Sequence, residues 1–296
     1  MTKERFQGTG TAMVTPFTMA GALDEDALGR LVDFQIRGGV DMLLPCGTTG
    51  ESPALEPAEW ERVVDFVVGR VAGRVPVIAG AGSSSTAHAV AMTIRAGELG
   101  ADGVLSVCPY YNRPQQEGYY QHFLAIAEAS SVPVILYNVP PRTSGTLLPE
   151  TTFRLAEHPN VVGIKEAAGS VDTIAELVRH RPDGFRILCG DDPLTVAAIA
   201  MGADGIVSVT SNPVPERFVR MVDAALAGEM TTAREMHYQL LPLMRAHFIE
   251  SSPVPVKVTL AAMGLIEDHC RLPLAPASEA TRSEIRRVSG MLGLLN

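Results

Sequence analysis

Short apolar, β-branched runs recur along the chain, and each is followed by a small or polar residue. The runs are hydrophobic throughout and do not alternate with polar residues, which is typical of parallel strands that are covered on both faces. They predict eight strands: TAMVTP (11–16), DMLLPC (41–46), VPVIAG (75–80), DGVLSVCP (102–109), VPVILYNVP (132–140), VVGIK (161–165), RILCG (186–190) and GIVSVT (205–210).

Amphipathic helical patterns separate these predicted strands. Two apolar stripes with the spacing of one helix face are Trp60, Val63, Val64, Val67 and Val68, and Phe218, Met221, Val222 and Ala225. Glycines stand where helices would end, at Gly38-Gly39, Gly100 and Gly202. Eight strands that alternate with eight helices predict an α/β fold of the (β/α)8 TIM-barrel type.

A doubly wound open sheet is the alternative fold. Such a sheet usually has a glycine-rich first turn, but here the glycines follow the second run and lack the G-x-G-x-x-G spacing. After the eighth predicted helix, the pattern indicates three more helices, at 230–249, 255–265 and 277–294. We therefore expect a catalytic barrel over 1–229 and a C-terminal helical domain over 230–296 that could take part in assembly.

Composition and charge narrow the class of protein. The chain has 296 residues, of which 46% are hydrophobic and 19% charged, so it can bury a large core. Its net charge is −9 and no basic run exceeds Arg286-Arg287, which argues against nucleic-acid binding. Because no apolar stretch reaches membrane-spanning length and the N-terminus lacks an apolar core segment, we expect no membrane contact and no signal peptide.

The four cysteines are Cys46, Cys108, Cys189 and Cys270, and none forms a C-x-x-C pair. They are expected to be reduced thiols of a cytoplasmic protein.

The sixth predicted strand ends on a lysine, Lys165, although lysine is almost never fully buried unless it is paired or used. Desolvation in a barrel mouth should lower its pKa from about 10.4 toward 7–8. The neutral amine can then form a Schiff base with a ketone, and the protonated imine lets the adjacent carbon become an enamine nucleophile. The alternative is a lysine that reaches the rim and pairs with Glu166 or Asp191.

The second predicted strand is followed by the turn Gly47-Thr48-Thr49-Gly50. Its consecutive N–H groups, two hydroxyls and glycines are suited to a small anion such as a carboxylate. The turn lacks the GKS or GKT ending of a nucleotide-binding loop. The alternative is a tight turn in which the threonines only cap the backbone.

Two further side chains belong to the fifth predicted strand and the loop after it. Tyr137 could donate a hydrogen bond to whatever Lys165 holds, and Arg142 could grip a carboxylate with two bonds. Their alternatives are a packed tyrosine with a satisfied hydroxyl and a solvated arginine.

A metal site is the competing chemistry, and we expect none. No H-x-x-x-H pair occurs, and four of the seven histidines fall in or near predicted outer helices: His88, His122, His158 and His180.

Several motifs, in order along essentially the whole chain, resemble the dihydrodipicolinate synthase family. They are GTTGES, PYYNRP, YNVPPRT, GIKEA and the late ESSPVPVK and CRLPL. The resemblance implies the barrel with a C-terminal helical part. It also implies condensation of pyruvate with aspartate semialdehyde, the first committed step of diaminopimelate and lysine biosynthesis, with no cofactor.

The resemblance implies roles for single residues. Lys165 would be the Schiff-base lysine, Thr48 and Thr49 would hold the pyruvate carboxylate, and Tyr137, Thr48 and Tyr111 would relay protons. The tyrosine at the position of Tyr111 crosses into the neighbouring subunit's site in this family, so a dimer would be the smallest complete unit and a homotetramer the assembly.

Four more residues are assigned to substrate binding. Arg142 would bind the carboxylate of aspartate semialdehyde, Gly50 would complete the anion-binding turn, and the backbones of Gly190 and Val207 would line the pyruvate pocket.

Other reactions on this scaffold remain open. Sialic-acid lyases resemble the chain at the lysine and the tyrosine, but typically have serine at the position of Thr48 and lack an arginine at that of Arg142. Sugar-acid aldolases also tend to lack that arginine. A binding protein that has lost the reaction is the remaining alternative.

Feedback inhibition by L-lysine is common in the family, but this chain departs from the enteric-type pattern. The substituted positions are Pro57, Trp60, Ser84 and His88, whereas Ser52 and Tyr110 are kept. Loss of polar ligands for an ammonium group predicts little inhibition by lysine.

Overall fold

The computed structural model describes residues 6–295, which form a barrel of eight parallel strands. The strand order is β2-β1-β8-β7-β6-β5-β4-β3, and a parallel bridge between Leu43 and Val77 links the two end strands. The strands are β1 Gly8–Ala12, β2 Met42–Leu44, β3 Ile78–Gly80, β4 Gly103–Val107, β5 Val134–Asn138, β6 Val161–Glu166, β7 Arg186–Cys189 and β8 Gly205–Ser208. The predicted barrel is confirmed, and the open sheet is excluded.

Each strand is followed by at least one helix, and three helices extend the barrel at the C-terminus. The helices are α1 Glu25–Arg37, α2 Pro57–Val71, α3 Thr86–Glu98, α4 Gln116–Ala129, α5 Pro140–Thr143, α6 Pro149–Ala156, α7 Val171–His180, α8 Thr195–Ala200, α9 Pro215–Leu226, α10 Met230–Ala246, α11 Val254–Ala262 and α12 Glu279–Met291. Two short 3-10 helices, Ser52–Ala54 and Asp192–Leu194, follow β2 and β7.

The first predicted strand was wrong in position: β1 spans Gly8–Ala12, whereas the apolar run began at residue 11. The strand consists of small residues because its neighbours approach closely. A Cβ on Gly10 would lie 2.8 Å from both Leu44 Cδ1 and Met42 Cγ. A search for apolar runs therefore misses this strand, since its sequence is Gly-Thr-Gly-Thr-Ala.

The two apolar stripes lie on the inner faces of α2 and α9. In α2 the buried members include Trp60, and the Trp60 indole N–H donates to the carbonyl of Gly80 at 2.8 Å. The predicted helix ends are also found: Gly38 caps α1, and Gly100 and Gly202 follow α3 and α8 with positive φ angles.

Buried side chains form two layers. One lies between the sheet and the helices, and the other fills the barrel. The interior set is Phe6, Ala12, Met42, Leu44, Ile78, Leu105, Ile135, Tyr137, Val139, Val162, Leu188 and Val207. Since successive strand residues point to opposite faces, Tyr137 and Lys165 face the interior, whereas Asn138 and Glu166 face the helices.

The C-terminal helices pack on the barrel's outer layer. α10 contacts α8 and α9, and α12 contacts α10 and α11. This arrangement confirms the helical extension, whereas the division of the chain at 229/230 into two domains stays a prediction. Within residues 6–295, no helix is long and apolar enough to cross a bilayer.

Candidate active site

Lys165 lies on β6 inside the barrel, with only 5% of its surface exposed. It is the register partner of Tyr137 on β5, and its Nζ is 4.5 Å from the centre of the tyrosine ring. Nζ forms no hydrogen bond or ion pair with residues 6–295. The alternative, in which Lys165 pairs with Glu166 or Asp191, is therefore wrong. The structure therefore holds a buried amine that is bonded to no carboxylate of residues 6–295, although its charge acts on the buried Asp192 carboxyl.

Glu166 is turned to the opposite face of the strand. Its carboxylate accepts hydrogen bonds from Asn138 Nδ2 at 2.8 Å and from the Ala168 N–H at 2.6 Å. Burial raises the pKa of this carboxyl above its usual value, and the two hydrogen bonds oppose that rise only in part. Asn138 Oδ1 accepts from the Leu147 N–H at 3.0 Å, so this pair also anchors the chain segment after α5.

Gly190, at the end of β7, leaves room for the Lys165 side chain. A Cβ at this position would lie 2.8 Å from Lys165 Cε and 2.7 Å from Ala167 Cβ. These separations are shorter than carbon atoms normally allow. A glycine is therefore required here for steric reasons, close to the candidate nucleophile.

The turn after β2 is closed by its own backbone. The Gly50 N–H donates to Gly47 O at 3.0 Å and the Glu51 N–H donates to Thr48 O at 3.1 Å. Cys46 and Glu51, on either side, have positive φ angles of 57° and 55°, which non-glycine residues rarely adopt.

Three donors of this turn are unused. In the described part of the chain, the backbone N–H groups of Gly47, Thr48 and Thr49 have no acceptor. Gly50 has a structural reason to be glycine, because a Cβ there would lie 3.0 Å from Cys46 N. The arrangement is a turn that presents free N–H groups, which is the geometry of a small anion site.

A cavity of about 600 Å³ opens at this end of the barrel. Its walls include Thr48, Tyr137 and Arg142, together with the apolar side chains of Leu105 and Val139. Lys165 lies behind Tyr137 and is not part of the wall.

Three polar side chains of the cavity are unpaired, whereas others in its wall, such as Glu61 and Arg95, pair with each other. Among residues 6–295 the Thr48 and Tyr137 hydroxyls form no hydrogen bond, and the exposed Arg142 guanidinium on α5 has no ion-pair partner. The cavity therefore combines a cation at its mouth with two hydroxyls deeper inside, and all three can bind a ligand.

Tyr111 does not join this group within the chain. It is 94% exposed, has a positive φ of 75°, and does not line the cavity. Thr49 is buried beside the cavity, and Val207 lies in the barrel interior. The structure thus brings together Thr48, Tyr137 and Arg142 around one space with Lys165 at its back.

Sequence reasoning missed two ion pairs beside the turn, one fully buried and one partly exposed. Glu51 pairs with Lys257 of α11, and Glu59 of α2 pairs with Arg271. Lys257 could have been found by the pattern that identified Lys165, a lysine inside an apolar run. The run here is PVPVKVTL.

Metal-ligating side chains do not cluster in the part of the chain that the structure describes. Of the predicted outer histidines, His88 lies on α3 and lines the cavity, and His122 is buried on α4. His122 Nδ1 lies 2.9 Å from Thr86 Oγ1, and burial lowers its pKa to about 4.

Comparison with known proteins gives consistent matches over the whole chain. The model of the dihydrodipicolinate synthetase family matches residues 5–289. A 4-hydroxy-tetrahydrodipicolinate synthase of Geotalea daltonii is 52% identical over 280 residues, which are 95% of this chain and 96% of the relative.

Solved structures agree with these matches. The chloride-inhibited dihydrodipicolinate synthase of Acinetobacter baumannii in complex with pyruvate has a TM-score of 0.96 at 40% identity, covering 98% of this chain and 99% of that one. The lysine-bound enzyme of Cyanidioschyzon merolae has a TM-score of 0.96 at 36% identity, with the same two coverages.

Proposed function

This chain belongs to the dihydrodipicolinate synthetase family, and on that premise we propose that it condenses pyruvate with L-aspartate 4-semialdehyde. The product is 4-hydroxy-tetrahydrodipicolinate, and the reaction belongs to the diaminopimelate route to lysine. The observation that carries the proposal is Lys165, a buried and unpaired amine beside Tyr137, at the back of a cavity with free anion-binding donors. No cofactor takes part, because the lysine imine is itself the electron sink.

Pyruvate binds first. Its carboxylate accepts hydrogen bonds from the free N–H groups of Thr48 and Thr49, which places the keto carbon within reach of Lys165. The neutral Nζ attacks this carbon, and the resulting carbinolamine loses its hydroxyl as water to give the imine. Tyr137, whose ring lies 4.5 Å from Nζ, passes the protons of this step through Thr48 toward solvent.

Carbon–carbon bond formation follows. The imine loses a methyl proton to become an enamine, and the enamine carbon attacks the aldehyde of aspartate semialdehyde. Arg142 at the mouth binds the carboxylate of this second substrate with two charge-assisted hydrogen bonds. The substrate's amine then attacks the imine carbon, displaces Lys165 and closes the ring, so that the only other product is the water already released.

A second copy of the chain completes the proton relay in this proposal. Tyr111 is 94% exposed on a left-handed backbone, a strained placement that needs compensation from elsewhere. We propose that it enters the partner's cavity in a homodimer and that two dimers form a tetramer. The four free cysteines are consistent with a cytoplasmic enzyme.

The test is a coupled assay. The protein is mixed with pyruvate, aspartate semialdehyde, excess dihydrodipicolinate reductase and NADPH, and the nicotinamide absorbance is followed. Protein-dependent loss of NADPH is the expected result. No loss, together with cleavage of N-acetylneuraminate or a 2-keto-3-deoxy sugar acid, would move the reaction to the sugar-acid aldolases. No turnover of any of these would favour the non-catalytic alternative.

A further inference from the structure

A buried ion pair joins the C-terminal extension to the turn beside the cavity. Lys257 of α11 and Glu51, the residue after Gly50, have fully buried side chains, and Lys257 Nζ donates to Glu51 Oε1. This contact joins residues that are 206 positions apart in the sequence, and it ties the C-terminal extension (residues 230–296) to the barrel mouth.

Every face of the Lys257 ammonium is occupied. Besides Glu51, Nζ donates to the carbonyl of His269 at 2.9 Å and lies 4.4 Å from the centre of the Phe17 ring. The other oxygen of Glu51 accepts from the Arg271 N–H at 2.9 Å. The carboxylate is therefore held at both oxygens by groups of the extension, and the pair leaves no charge uncompensated.

Glu51 in turn fixes the anion turn. Its N–H donates to Thr48 O at 3.1 Å, and its backbone has the left-handed φ of 55°. Because Glu51 is anchored through its side chain, the orientation of the Thr48 and Thr49 N–H groups depends on that anchor. Glu51 is also an anion close to a site for an anion, and without a counter-charge it would repel the ligand.

Arg271 also joins the C-terminal extension to the segment that follows the turn. Its guanidinium donates to both oxygens of Glu59 at 2.5 and 2.6 Å and to the carbonyl of Ala54 at 3.0 Å. The segment between the turn and α2 is thus clamped by the extension as well.

We propose that Lys257 is a positioning residue for the pyruvate carboxylate: it neutralises Glu51 and holds the Thr48-Thr49 turn in its binding conformation. The inference rests on the proposed function. It makes the C-terminal extension a part of the active site, whatever its role in assembly.

The test compares three variants with the wild-type protein. Lys257→Met removes the cation at similar length, and Glu51→Gln/Lys257→Met removes both charges, so it lacks the uncompensated buried carboxylate that threatens folding of the first. Arg287→Met is the matched control, because Arg287 pairs with Glu284 within α12 of the same extension and contacts none of the residues that hold Glu51.

Two quantities are measured for each folded variant. One is the pyruvate concentration that gives half-maximal borohydride-trapped adduct on Lys165, read by mass spectrometry. The other is the KM for aspartate semialdehyde at saturating pyruvate. Lys257→Met should raise the half-saturating pyruvate concentration about tenfold or more. The variant both displaces the turn and leaves the Glu51 carboxylate free to repel the ligand. The double variant should raise this concentration about threefold through displacement alone, and both should leave the second KM within about twofold of wild type.

Several results would overturn the proposal. If the double variant, or folded Lys257→Met, has the half-saturating pyruvate concentration of the wild-type protein, Lys257 has no positioning role. An equal rise for both substrates, or the same rise in Arg287→Met, indicates general loosening of the structure. If the wild-type protein forms no adduct at all, the proposed function fails and this inference fails with it, whereas normal adduct formation in every variant rejects only this inference.

Discussion

Replacing Gly190 with alanine should displace the Lys165 amine, the proposed Schiff-base nucleophile, while leaving the fold intact. The new Cβ would lie 2.8 Å from Lys165 Cε and 2.7 Å from Ala167 Cβ. Carbon atoms pack at about 3.5–4.0 Å, so each contact must lengthen by about 0.7 Å or more. The Gly190 N–H donates to Glu166 O at 2.7 Å, which restrains the backbone on both sides. The flexible end of Lys165 therefore moves away from the new Cβ, whereas the contact with Ala167 Cβ is relieved only by a small shift of the backbone.

The size of the effect follows from that displacement. A reacting group misplaced by about 1 Å can lose on the order of 10²-fold in rate. The kcat/KM for pyruvate should fall by about this factor, which corresponds to about 2.7 kcal/mol of transition-state stabilisation. Overpacking should lower the free energy of unfolding by about 1–3 kcal/mol, which a domain of this size tolerates.

The assay is the coupled NADPH assay, accompanied by the rate of adduct formation on Lys165. Gly290→Ala is the matched control, since no atom lies within 4 Å of a Cβ at this position in α12. This control should keep wild-type activity. A Gly190→Ala protein with wild-type kcat/KM and adduct rate would refute the steric reasoning.

Three further predictions concern other parts of the molecule. Tyr137→Phe should slow imine formation by about 10²-fold, as expected for one acid–base group, and stopped-flow trapping would show it; an unchanged rate assigns the proton transfer elsewhere. Since His122 has a folded pKa of about 4, the unfolded state binds the extra proton between pH 4 and about 6.5, and stability is lost as the pH falls through that window. In His122→Gln, the free energy of unfolding measured in urea should fall less steeply in this window, by about 1.4 kcal/mol per pH unit. Parallel curves of unfolding free energy against pH for the variant and the wild type would show that His122 is not the group responsible. L-Lysine should inhibit little, because Pro57 and Trp60 line the cavity where polar ligands would be needed; a micromolar inhibition constant in a steady-state titration would show this to be wrong.

Apolar runs identified seven of the eight strands because those strands are buried on both faces. The first strand escaped because its position between β2 and β8 requires small residues, and glycine and threonine carry no hydrophobic signal. Helix ends were predictable where a glycine adopts a positive φ, since this is a local requirement of the backbone.

The candidate site was predictable where residues follow strands directly. Tyr137 and Lys165 end neighbouring parallel strands, so the topology alone brings them together. The link between Glu51 and Lys257 was not predictable in the same way, because it depends on how the extension folds back over the barrel. The chain has only three lysines, at positions 3, 165 and 257, and the two within the barrel and α11 are both buried.

The most direct test of the central claim is to locate the covalent bond. The protein is incubated with pyruvate, reduced with borohydride and digested, and the lysine-containing peptides are read by mass spectrometry. The account predicts the increment of a reduced pyruvate imine on Lys165, none on Lys257, and loss of the signal in Lys165→Ala. Substantial condensation by Lys165→Ala, or an adduct confined to another lysine, would contradict it.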